Sequence, residues 1–169
     1  MSDQGASREE QLLSACMSDQ SDMVQKLLAD PQPPNVNHTN AMGLTAMHFA
    51  VQTGSLDCVE LLAKVKGIDV NIQNRMRRDT PLHIALTNDD DEDIMLAMVS
   101  SLVKAGADPD IVNMRRQSPF DLAAKEDKDI QRWLMTARLT VQNRRAQASN
   151  GNNSNDQDDD DDEDSDEGR

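Results

Sequence analysis

Thr80-Pro-Leu-His83-Ile-Ala85 is the stretch on which the reading of this chain turns, because the sequence holds it in three versions. Thr45-Ala-Met-His48-Phe-Ala50 precedes it by 35 residues, and Ser118-Pro-Phe-Asp121-Leu-Ala123 follows it by 38. What comes after each hexamer recurs as well. Gly54-Ser-Leu-Asp-Cys-Val59-Glu-Leu-Leu62 follows the first, and Met98-Val99-Ser-Ser-Leu102-Val103-Lys-Ala-Gly-Ala-Asp108 follows the second. Working back by 35 residues, Ala15 matches Ala50, Val24 matches Val59 and Leu27 matches Leu62, so a first unit without the hexamer begins near Arg8. Self-similarity at such a period marks stacked repeats, each a turn, a short helix, a second helix and a loop.

These residues resemble the ankyrin repeat, whose signature is T-P-L-H-x-A in a unit of about 33 residues. The resemblance covers about residues 8–140 and implies an all-α solenoid of stacked helix-turn-helix repeats with short β-hairpin fingers. Fingers and first helices would line a concave face. The expected division is residues 1–7 as a disordered N-terminus, four repeats at 8–36, 37–71, 72–110 and 111–142, and residues 143–169 as a disordered acidic tail.

The apolar pattern agrees. Val59 and Leu62, with Cys58 beside them, recur at i, i+3 as Val99 and Leu102, one stripe per second helix. One helix pair cannot bury such a stripe, so neighbours must cover it and the end units must act as caps. Repeat three departs from repeat two by about five extra residues at Asn88-Asp-Asp-Asp-Glu-Asp93, read as an acidic knob where its helices turn. At the finger tips Gly43 has Arg78 and Arg116 as its counterparts, so these arginines must adopt a turn conformation that suits glycine.

Composition sets the outer bounds. The chain has 169 residues, 31 acidic and 17 basic, two phenylalanines, one tryptophan and no tyrosine, so its packing rests on small aliphatics and methionine. No apolar run approaches the roughly 18 residues needed to span a bilayer, and a soluble, unexported protein of the cytoplasm and nucleus is expected. Residues 156–167 hold ten acidic residues and no basic one, and without residues 150–169 the net charge falls from −14 to −5. Such a segment buries too little apolar area to offset its chain entropy.

Little in the sequence points to chemistry. His48 and His83 are read, from the resemblance, as the residues whose hydrogen bonds hold the hairpin to the first helix. Cys16 and Cys58 fall on apolar faces as core residues. The acidic runs lack the glycine and glutamate placement of an EF-hand, and no phosphate-binding glycine loop or nucleophile elbow occurs. No enzyme activity, cofactor or metal is expected. The sharpest binding signal is Arg75-Met-Arg77-Arg78 echoed by Met114-Arg115-Arg116, a row of arginines able to fork onto carboxylates or phosphates. Exposed arginines that merely solubilise the fingers are the plainer reading of the same residues. With net charge −14 and no aromatic among the arginines, direct nucleic-acid binding is not expected.

The sequence thus points to a monomeric protein-protein interaction module, an adaptor or escort. Its acidic tail favours a strongly basic partner such as a ribosomal protein or histone. The alternative is a regulatory inhibitor that docks on a partner enzyme or transcription factor.

Overall fold

The computed structural model describes residues 5–88, 91–123 and 127–150. Its helices come in pairs: α1 (Arg8–Met17) with α2 (Ser21–Leu28), α3 (Ala46–Gln52) with α4 (Leu56–Ala63), α5 (Pro81–Thr87) with α6 (Glu92–Lys104), and α7 (Pro119–Leu122) with α8 (Lys128–Asn150). The first helices pack in the order α1, α3, α5, α7 and the second helices in the order α2, α4, α6, α8. The core lies between these two layers. It takes Leu12 and Cys16 from α1, Val24 from α2, Met47, Ala50 and Val51 from α3, Cys58, Val59 and Leu62 from α4, and Leu82 from α5. Met98, Val99 and Leu102 of α6 with Ile130 and Leu134 of α8 continue it.

The hexamers act as helix starts. Thr45, Thr80 and Ser118 are extended N-caps, and each forms a reciprocal pair with the residue three positions on. Ser7 does the same for α1 with Glu10 as partner, so the first unit keeps the cap although it lacks the hexamer, and Ser7, expected outside the fold, belongs to it.

Three expectations are corrected. First, among the described residues there is no β-strand: the fingers are tight turns with short arms, closed by backbone hydrogen bonds from Asn40 to Leu44, Asn74 to Asp79 and Asn113 to Gln117, with a second bond inside the turn from Gly43 to Asn40 and from Arg116 to Asn113. Arms this short leave no length for a ladder. Second, the extra residues of repeat three do not all widen the turn. Four, residues 92–95, extend the start of α6, and with one more at its end that helix has 13 residues against eight in α4. Asp91 caps it, and Glu92 and Asp93 sit in its first turn, where the helix dipole favours carboxylates. Asp89 and Asp90 of the knob lie outside the described residues. Third, α8 runs to Asn150, well past the boundary expected at 142.

The continuation of α8 has a tertiary cause. Arg138 donates its Nε to Asp110 at 2.9 Å and stacks 4.0 Å over the Phe120 ring, while Arg145 binds the nearly buried Asp108 at 2.6 Å. Lys104 of α6 lies 5.4 Å above Trp133 of α8. Residues 143–150, which contain neither Gly nor Pro, therefore continue as helix along the loop of repeat three. The remainder of the expected tail lies outside the described residues.

Candidate functional site: the fingers and inner helices

Each finger is built on an asparagine. Asn40 Oδ1 accepts the amides of Met42 and Leu44, Asn113 Oδ1 those of Arg115 and Gln117, and Asn74 Oδ1 that of Arg77 at 3.0 Å. Neighbouring fingers are bonded edge to edge, Arg75 N–H to the Met42 carbonyl at 2.9 Å and Met114 N–H to the Arg77 carbonyl at 2.8 Å. The tips close in the left-handed region at Gly43, Arg78 and Arg116, with φ of +74°, +57° and +61°, as the sequence requires. Asp19 takes the same conformation, φ +53°, at the helix-helix turn where repeat two has Gly54.

The histidines lock fingers to helices. The Thr45 amide donates to His48 Nδ1 at 3.1 Å, and His48 Nε2 donates to the Asp79 carbonyl of the next finger at 3.2 Å. His83 repeats this with Thr80 and the Gln117 carbonyl at 3.0 Å. One ring nitrogen faces an N–H and the other a carbonyl, so both rings are neutral with the proton on Nε2. Burial accordingly lowers both pKa values below the ordinary range. In repeat four Asp121 Oδ2 accepts the Ser118 amide and hydroxyl at 2.9 and 2.6 Å, and these bonds hold its carboxyl low. A carboxylate accepts as Nδ1 does but cannot donate onward. Among the described residues no finger follows the last unit to take that proton.

Fingers 2 (residues 74–79) and 3 (113–117) carry the arginine row on their exposed tips. The members differ in freedom. Arg77 is paired through Nε with the buried Asp79 at 2.9 Å, and Asp79 also takes the Asn113 amide. Arg75 reaches back to the Ala41 carbonyl at 3.4 Å, and Arg78 donates to Gln73 at 3.0 Å. The guanidinium groups of Arg115 and Arg116 have no partner among the described residues. Finger 2 holds one residue more than its neighbours between its asparagine and its hexamer, and residues 75–78 are all exposed on it.

Beneath the fingers lie two adjoining cavities. One of about 350 Å³ is lined by Arg77, Asn113, Met114, Arg115, Gln117 and Leu122, and one of about 430 Å³ by Leu44, Gln52, Met76, Arg77, Ile84 and Asn88, with Thr87 common to both. Met76 and Met114 are 62% and 66% exposed at their mouths, large apolar side chains held in water beside guanidinium groups. The sequence reading included Met114 but missed Met76 and the asparagines, although the Met-Arg-Arg echo and Asn40, Asn74 and Asn113 at matching places are both visible in it. It also missed a second ladder: Asn37 bridges the Gly67 carbonyl and the Asp69 amide, and Asn71 the Gly106 carbonyl and the Asp108 amide. Asp110 takes their place in the next unit and receives Arg138.

Cys16 and Cys58 are wholly buried free thiols, and burial pushes Cys16 up to about 12, so neither is a nucleophile at neutral pH. Among the described residues no cluster of His, Cys, Asp or Glu is placed to hold a metal ion, and no helix is long and apolar enough to cross a membrane.

The family described as ankyrin repeats (3 copies) matches residues 12–113. An ankyrin repeat-containing protein of Saccharomyces cerevisiae is 28% identical over 138 residues, 76% of either chain. Protein phosphatase 1 regulatory subunit 27 of Mus musculus is 41% identical over 88 residues, 52% of this chain and 53% of that one. The nuclear factor NF-kappa-B p105 subunit of Gallus gallus is 34% identical over 89 residues, which are 53% of this chain and 8% of that protein. The chain thus spans about three quarters of the yeast relative and about half of the phosphatase subunit. With three hexamer-capped helix pairs, histidines bonded across units and a family match over more than half its length, the chain belongs to the ankyrin-repeat family, whose units are protein-protein interaction modules.

Proposed function

We propose that the chain is a non-catalytic adaptor or escort that holds one protein partner on the face made by fingers 2 and 3 and the inner helices α3, α5 and α7. The observation that carries this reading is the pair of adjoining cavities with the exposed Met76 and Met114 and the unpaired Arg115 at their rim. Apolar anchors beside free guanidinium groups are what protein interfaces use at their centres. Arg115 and Arg116 would fork onto carboxylates or carbonyls of the partner. The ten carboxylates of residues 156–167 favour a strongly basic partner, of the ribosomal-protein or histone kind, by raising encounter rates. We place such an escort, acting as a monomer, in the cytoplasm and nucleus.

The test is binding of purified basic proteins, a ribosomal protein and a core histone, to the full chain and to variants. Ending the chain at Asn150 should weaken capture. Arg115→Ala with Arg116→Ala should weaken it by roughly 1 to 3 kcal/mol per charge-assisted contact, with thermal unfolding nearly unchanged because neither guanidinium is paired within the fold. Capture indifferent to both changes would remove the escort reading. A regulatory role draws its support from the phosphatase regulatory subunit among the relatives. In that case the same double variant would release a partner enzyme while the shortened chain would not.

A further inference from the structure

The arginines of the described residues divide into two groups. Arg8, Arg77, Arg132, Arg138 and Arg145 each have a carboxylate partner. Arg75, Arg78, Arg115, Arg116 and Arg144 have none. Four of these five stand on fingers 2 and 3. The fifth, Arg144, brings Nη1 against Gly106 at the base of the loop leading to finger 3. The unpaired guanidinium charge is therefore gathered at one edge of a molecule whose net charge is −14. The lysines are dispersed by comparison; Lys64, for instance, shares its surroundings with Asp57 and Glu60.

We propose that the acidic segment 156–167 of this same chain docks in cis on the arginines of fingers 2 and 3, so that a partner must displace it to reach the face described above. Charge complementarity selects the occupant: ten carboxylates, uninterrupted by any basic residue, against a cluster of unpaired guanidinium groups. Reach permits it. Arg145 is bound to Asp108, and the seven residues from Asp108 to Arg115 span at most about 25 Å. Adding about 12 Å for the bonded side chains and about 8 Å of helix to Asn150 bounds the gap from Asn150 to Arg115 at about 45 Å. From Asn150 to Glu167 there are 17 residues, which extend to about 56 Å, so the distal carboxylates reach the row even at that limit.

Each pair in such a contact is exposed and weak alone. Tethering makes every encounter intramolecular, at an effective concentration on the order of millimolar, and several carboxylates exchange over several arginines. A basic partner would compete for the carboxylates and uncover the row. An acidic partner would compete for the arginines. The inference concerns the face assigned above but is read with no partner present, so it and the escort reading fail separately.

The experiment uses the full chain with Ser165→Cys carrying a nitroxide, the native Cys16 and Cys58 being buried and out of reach of the label. Paramagnetic broadening is then followed on the arginine Nε–Hε signals. In about 20 mM salt the signals of Arg78, Arg115 and Arg116 should lose more than half their intensity, and Arg8 should keep most of its own. In about 0.5 M salt, where screening acts within about 4 Å, the intensity should return. With Arg115→Gln and Arg116→Gln together, broadening at Arg75 and Arg78 should fall at least twofold. Unbroadened finger signals at low salt would overturn the proposal, as would equal broadening at Arg8 or broadening indifferent to salt.

Discussion

At the finger tips a single dihedral angle decides which substitutions the protein accepts. Gly43, Arg78 and Arg116 share the left-handed conformation, which costs a residue with a Cβ roughly 1 kcal/mol or more. At Gly43 space forbids a side chain as well, since a Cβ there would stand 2.9 Å from the Arg75 backbone nitrogen and 2.9 Å from its Cγ. Gly43→Ala should therefore destabilise by more than about 1 kcal/mol, whereas Arg116→Gly should be neutral or stabilising by up to about 1 kcal/mol. Urea denaturation of the two variants checks this, and a neutral Gly43→Ala would refute the packing argument. His48 and His83 set the response to acid. Their folded pKa values lie below the unfolded value of about 6.5, so the folded state excludes a proton that the unfolded chain accepts. Their contribution is complete above about pH 6.5 and is lost as pH falls below it. The melting temperature should decline from pH 7.5 to 5.0, before the lowered carboxyl of Asp121 is engaged near pH 4 and below. A flat profile across that window would contradict the neutral assignment.

At the scale of elements, each outer helix survives by a stripe that its neighbours cover. Leu62 of α4 and Leu102 of α6 are completely buried and fully enclosed by adjoining units. Leu62→Ala or Leu102→Ala should cost roughly 2 to 5 kcal/mol in equilibrium unfolding, the range for large-to-small changes in packed cores. The last helix is held differently. Its buried residues are Ile130, Leu134 and Ala137, a narrow stripe for 23 residues, and Arg138 supplements it through Asp110 and the Phe120 ring. Arg138→Ala should cost about 1 to 2 kcal/mol, combining a cation–π contact with a partly exposed ion pair. A loss well under 0.5 kcal/mol would mean that α8 is held by its apolar stripe alone.

Across the whole molecule, stability is a sum of nearest-neighbour interfaces, and end units have only one neighbour. The middle units, α3 to α6, should show the slowest amide hydrogen exchange. The four residues of α7 should exchange far faster, because that helix is one turn long and buries Pro119 alone within its span. Equal protection in α4 and α7 would show that the stack opens as one body. The unpaired arginines gather on the finger edge while ten carboxylates follow α8, so ionic strength should act on the finger face far more than on the helical stack.

The sequence by itself determined the repeat register, the helix pairs, the stripes that form the core and the need for left-handed backbone at Arg78 and Arg116. Those are local properties, fixed by spacing and by what a single residue can adopt. It also placed the binding candidates on fingers, because the Met-Arg-Arg echo is a pattern within repeats. Tertiary structure alone decided which arginines are free. Asp79 looks like any acidic residue in a turn until finger stacking buries it beneath Arg77 and Asn113, and Asp108 and Asp110 look unengaged until α8 returns Arg145 and Arg138 to them from 37 and 28 residues away. The same return carries α8 past its expected end, and α6 absorbs residues that the sequence assigned to a turn. The physical reason is common to all of these cases. Propensity and periodicity act within one unit, whereas pairing of charge and extension of a helix depend on what the neighbouring unit brings within reach.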